Sequence, residues 1–155
     1  MAGHYPLNGT STGKKIPYLI DFHFNSKSEL NSLWKGLLQV GSAGQGELSL
    51  NIPAFIPANI IYAPAWTAAI ECRIGAVSCS LVNASLRGEF QTSIHFPRHK
   101  YEVAAQQIPL PVPIETGTIV LVVLSMIYTI KKNGESLEKK EAAFRPADVI
   151  GAIYY

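Results

Sequence analysis

Between Ile108 and Ile114 the chain reads Ile-Pro-Leu-Pro-Val-Pro-Ile, with proline at every second position. A period of two belongs to extended chain, because successive side chains of a strand point to opposite faces. The pairing groups of an antiparallel strand alternate in the same way. Pro109, Pro111 and Pro113 therefore remove donors from one side only, and Leu110, Val112 and Ile114 leave the other side able to pair. The pattern predicts a sheet edge sealed against further strand addition. The alternative is polyproline geometry, an interaction arm with Leu110 and Val112 free to dock on a partner. Thr118 to Ile130 follows at once, almost wholly apolar and rich in β-branched residues, and predicts a strand buried on both faces. Together the two stretches describe an all-β domain that manages its edges.

Alternation recurs along the chain. Tyr18, Ile20, Phe22 and Phe24 share one face of an expected strand from Ile16 to Phe24, and Leu48, Leu50 and Ile52 share one face of another. Trp66, Ala68, Ile70, Cys72 and Ile74 form a further apolar face. Gly75-Ala76 fits a type II′ turn that would pair Cys72 with Cys79 and Ile70 with Leu81. Phe90, Thr92, Ile94 and Phe96 alternate next, and Val149 to Tyr155 makes a last strand. Asn133-Gly134 is the strongest hairpin signal, placing Lys132 opposite Glu135 and Ile130 opposite Leu137. One amphipathic helix is expected at Lys27 to Leu38, with Ser26 as N-cap, Glu29 completing a capping box, and Leu30, Leu33, Trp34, Leu37 and Leu38 on one stripe. This pattern of about eight strands without βαβ alternation predicts an antiparallel β-sandwich of jelly-roll type.

The 155 residues suit a single domain, read as residues 15–155 behind a polar, Gly-rich arm at residues 1–14. Charged residues make up 15%, against about 25% in ordinary globular chains. Interface centres are depleted in charge, and a charge-poor surface resists self-association less. The net charge of +2 and pI near 8.5 fall short of a nucleic-acid footprint, so no nucleic-acid binding is expected. No signal peptide is visible, and the apolar run after Thr118 is too short and too β-branched for a membrane span.

Chemical motifs are sparse. Gly-x-Ser-x-Gly is absent, and the segment Gly41 to Gly46 lacks the Gly-Lys-Ser/Thr ending of a phosphate loop. His95 and His99 stand four apart but flank Pro97, so they do not share a helical face as metal ligands would. No catalytic residue, cofactor or metal ligand is therefore assigned. Weak ligand-binding candidates are Trp66, Arg98, His99 and Tyr101. Interface candidates are Tyr5, Leu110, Val112 and the apolar C-terminus, Ile153, Tyr154 and Tyr155. Whether Cys72 and Cys79 are bonded is left open.

These features lead to the expectation of a non-enzymatic structural protein that self-associates as a trimer or higher. A viral capsid subunit or a trimeric fibre-head-like attachment domain are its concrete forms, by analogy of fold. Its place would be the virion or an extracellular surface, and otherwise it would be soluble. Other structural proteins or a cell-surface glycan are the further partners. A lectin-like β-sandwich is the first alternative. A cupin-like metal enzyme is the second, and it would need an inward cluster of His and Glu that the sequence does not offer.

Overall fold

The computed structural model describes residues 13–44 and 46–155. Its strands, in chain order, are β1 (Lys14–Lys15), β2 (Gln39–Gly44), β3 (Glu47–Ile52), β4 (Ala69–Ser80), β5 (Ser85–Pro97), β6 (Gln106–Leu110), β7 (Thr118–Lys132), β8 (Glu135–Glu138) and β9 (Ala147–Tyr154). Two single-turn helices are present, α1 (Leu30–Leu33) and α2 (Pro57–Ile60). The large sheet runs β1-β9-β7-β4-β5 with β8 also paired to β7, and the small sheet runs β2-β3-β6. All pairings are antiparallel. The protein is therefore all-β, with two sheets packed over one core. A jelly roll shares about eight strands between two Greek keys. The division here is six and three, and it does not establish that form.

The core lies between the sheets. Even-numbered residues of β4 and β7 face it: Ile70, Cys72, Ile74, Val120, Val122, Leu124, Met126 and Tyr128 are fully buried. Leu48, Leu50 and Ile52 meet them from β3. Trp34, Phe55 and Phe96 close one end as an aromatic cluster with centroids 5.1 to 6.3 Å apart. The odd-numbered residues of β7 from Ile119 to Ser125 are only half-buried, so this strand is covered fully on one face, not on both.

The proline run divides. Its first part is the edge strand β6, paired to β3 alone, with Pro109 opposite Ser49 and Leu110 opposite Leu48. After Leu110 the chain turns, Val112 N–H donating to the Leu110 carbonyl at 2.8 Å. Pro111, Val112 and Pro113 then cross toward the large sheet. There the buried Ser78 hydroxyl donates to the Pro113 carbonyl at 2.6 Å, and the Pro113 ring lies against Gly88. The prolines thus seal an edge and then bridge the two sheets.

Three expected elements differ. The strand over Ile16 to Phe24 is an interrupted edge: β1 pairs with β9, a 3-10 turn intervenes at Pro17–Leu19, and His23 resumes pairing opposite Asp148. Lys14, assigned to the arm, already belongs to that edge. The helix over Lys27 to Leu38 shrinks to Leu30–Leu33, because distant backbone takes the groups a helix would use. Lys35 N–H donates to the Ile60 carbonyl at 2.8 Å, and the Leu33 carbonyl accepts from Tyr62 N–H at 2.8 Å. The buried Asp148 carboxylate holds the start of α1, accepting Leu30 N–H at 2.7 Å while His23 Nδ1 lies 2.9 Å away. Finally, no turn forms at Gly75-Ala76: β4 runs straight through, and the reversal falls between Ser80 and Ser85. Cys72 and Cys79 consequently share one strand on opposite faces, and both are free thiols.

Candidate functional site

The β register lays out the outer face of the large sheet row by row. The first row across β5, β4, β7 and β9 is Leu86, Cys79, Ile119 and Tyr154. The second is Glu89, Val77, Leu121 and Ala152, and the third is Gln91, Gly75, Val123 and Val149. Apolar residues dominate all three on β4, β7 and β9. Ile119, Leu121, Val123, Val77 and Tyr154 are half-buried, with no second layer over them among the described residues, while Val149 and Ala152 on β9 are buried. Beyond the first row, the β4–β5 turn adds Leu81 and Val82, 59% and 87% exposed. Contiguous apolar surface of this kind on a folded domain marks a contact site.

The opposite end of the same face is charged. Its fourth row is Ser93, Arg73, Ser125 and Ala147, and its fifth is His95, Glu71 and Ile127. Arg73 Nε donates to Glu71 Oε1 at 2.8 Å, and His95 Nε2 lies 3.5 Å from the other Glu71 oxygen. The Arg73 hydrogen bond holds the Glu71 carboxyl below its ordinary value, against a smaller opposing effect of burial. Ser125, Ile127, Arg73, Lys140 and Arg145 line a cleft of about 430 Å³ at this end.

The residues singled out from sequence scatter. Leu110, Val112, Ile153 and Tyr155 are at most 7% exposed and belong to this chain's own core, so as interface candidates they are corrected. They read as free because proline and chain ends promise exposure, whereas packing between the sheets claimed them. Tyr154 does reach the outer face, in the first apolar row. Tyr5 lies outside the described residues. Trp66 packs edge-on against Tyr128 and Phe144, with Lys139 Nζ 5.4 Å above its ring. His99 and Tyr101 stack edge-on at 5.7 Å beside Arg98. Arg98 N–H reaches the Ala68 carbonyl at 3.4 Å, so both groups sit at the end of the sandwich where β4 begins and β5 finishes. No ring contact joins Trp66 to His99 or Tyr101.

Sequence reading missed the outer face. Its signal lay in the odd-numbered residues of β4 and β7, which are as apolar as the even ones over part of their length. Among the described residues no three His, Cys, Asp or Glu side chains gather closely enough to hold a metal ion, and no helix is long and apolar enough to cross a membrane.

What these features define is a two-sheet antiparallel β protein whose large sheet carries an apolar outer face with no second layer over it among the described residues. No family model, no curated protein and no solved structure matches the chain.

Proposed function

We propose that this protein is a non-enzymatic structural subunit that self-associates through the outer face of its large sheet. The observation that carries this reading is the set of three adjacent apolar rows centred on Ile119, Leu121 and Val123. Burying such a face gains roughly 25 cal/mol for every Å² of apolar surface removed from water. A second copy offers a self-complementary partner, since a two-fold axis lying in the interface plane, parallel to the sheet face, sets identical patches against each other. The low charge of the chain supports the same reading, because interface centres exclude Lys, Glu and Asp. At β6 the proline disfavours edge-to-edge strand addition, which leaves association at that edge to side chains. Subunits of viral shells and attachment heads are the concrete class, by analogy of fold.

Sedimentation across a wide concentration range tests the reading. Self-association is expected for the native chain. Leu121→Lys, on a half-exposed position, should abolish it and leave the melting temperature within a few degrees. A native chain that stays monomeric throughout, or a Leu121→Lys variant that associates as before, overturns the proposal.

A further inference from the structure

We propose that the cleft at the charged end of the large sheet binds an acidic sugar, its carboxylate or sulfate held by Arg73, Lys140 and Arg145. This site adjoins the assembly face: Ser125 is two residues along β7 from Val123, or roughly 7 Å at strand spacing.

Three observations converge. First, the cleft-lining residues include three cations and no carboxylate. Two acids stand behind them: Glu71 Oε1 accepts from Arg73 Nε at 2.8 Å, and Glu138 Oε1 forms an ion pair with Arg145, 2.8 Å from its Nη2. A guanidinium has five N–H donors, so each arginine keeps several for a ligand. Such donors pair well with planar oxyanions. Lys140 has no ion-pair partner among the described residues, and it leaves the cleft with a surplus positive charge. Asn25 anchors the wall, its Nδ2 donating to the Arg145 carbonyl at 2.9 Å.

Second, the rest of the lining sets the Ser125 hydroxyl and Ala147 above Met126, Ile127 and Pro146, which are buried beneath them. A bare phosphate or sulfate ion fills only a small part of this space. A sugar acid fills more of it, setting ring hydroxyls beside Ser125 while its acid group reaches the cations. The cleft volume, about 430 Å³, is within the range of small-ligand sites.

Third, the lining contains no aromatic ring. Proteins that read nucleotides stack bases on aromatic side chains or guanidinium planes. With no aromatic platform for a base, the cleft favours a ligand without one.

The test is a titration of the full-length chain, followed by NMR chemical shifts, with glucuronate, N-acetylneuraminate and a sulfated disaccharide. Galactose, adenosine monophosphate and inorganic sulfate are run alongside at low salt. Saturable shifts confined to Arg73, Ser125, Ile127 and Arg145 are expected for the acidic sugars. They should weaken with added salt and be absent for galactose. Lys140→Glu should lower affinity at least tenfold without changing the melting temperature, and Arg145→Gln should act in the same direction. Failure of every acidic sugar to bind overturns the proposal. So does equal or tighter binding of adenosine monophosphate or inorganic sulfate, or unchanged affinity in Lys140→Glu. Because a monomer can show all of these effects, none depends on the outcome for self-association.

Discussion

Gly88→Ala tests how the proline segment joins the two sheets. Gly88 faces the core on β5, opposite Ser78. A Cβ built there would stand 2.5 Å from Pro113 Cδ and 3.1 Å from Pro113 Cγ. The obstacle is a closed ring, so it cannot rotate aside as a flexible side chain would. The ring is also tethered, since the Ser78 hydroxyl donates to the Pro113 carbonyl at 2.6 Å and Val112 is buried just before it. Overpacking of this kind costs about 1–3 kcal/mol. For a domain of this length each kcal/mol moves the melting temperature by about 2–4 °C, so a fall of roughly 2–12 °C is expected. Pro113→Ala removes both obstructing carbons. Alone it should cost up to about 1 kcal/mol through greater freedom of the unfolded chain. Placed on Gly88→Ala it should instead restore stability, giving a coupling of at least about 1 kcal/mol in a double-mutant cycle. Urea unfolding of the four proteins, checked by circular dichroism, measures this. Additive effects, or a neutral Gly88→Ala, would refute the contact as the cause.

Other outcomes follow from single environments. Cys79 should react with a thiol reagent in the folded protein, whereas Cys72, fully buried and with its thiol pushed up by that burial, should react only after unfolding. Asp148→Ala leaves Leu30 N–H without its acceptor and should cost about 1–3 kcal/mol. The loss should appear first as faster hydrogen exchange between His23 and Trp34, with β4 and β7 still protected. Glu71→Gln should lower stability at neutral pH but not in acid. The wild-type carboxyl, held below 4.5 by Arg73, contributes above its unfolded-state value, and that contribution is lost as pH falls through the folded one. Melting temperatures of the pair should therefore converge below pH 4.5, and a gap that persists in acid would exclude the Arg73 pairing as its source.

The elements legible in sequence are those whose signal is local. Asn133 and Gly134 adopt φ of 53° and 84°, as a type I′ turn requires, and the flanking pairs Lys132–Glu135 and Ile130–Leu137 form as their spacing implies. Gly75-Ala76 carries a similar local preference, yet Gly75 pairs on both sides, with Gln91 and with Val123. Two full ladders outweigh one turn preference. The reversal that does occur contains no glycine. Ala84 takes a φ of 51° there, while the Ser85 hydroxyl donates to Asn83 Oδ1 at 2.6 Å and Val82 N–H to the Ser80 hydroxyl at 3.3 Å. The helical stripe from Leu30 to Leu38 fails for a related reason: Trp34 bridges to Ile61, so the apolar residues that look helical are placed by contacts far along the chain.

The candidate assembly face was hidden by the same ambiguity in β7. A continuous apolar run reads as a strand covered on both sides, because composition does not say which cover belongs to the same chain. Here the small sheet supplies one cover only. The odd-numbered positions Ile119, Leu121 and Val123 keep the hydrophobicity of buried residues without their burial. An isolated monomer has no use for that excess, since a half-exposed strand face is ordinarily polar and alternation would be restored at no cost to the core. Toward Arg73 and Ser125 the face does become polar, which shows that the fold tolerates polar residues there. Under the proposed self-association, a second copy supplies the cover that the described residues lack, and that cover is the reason for the apolar rows at the other end.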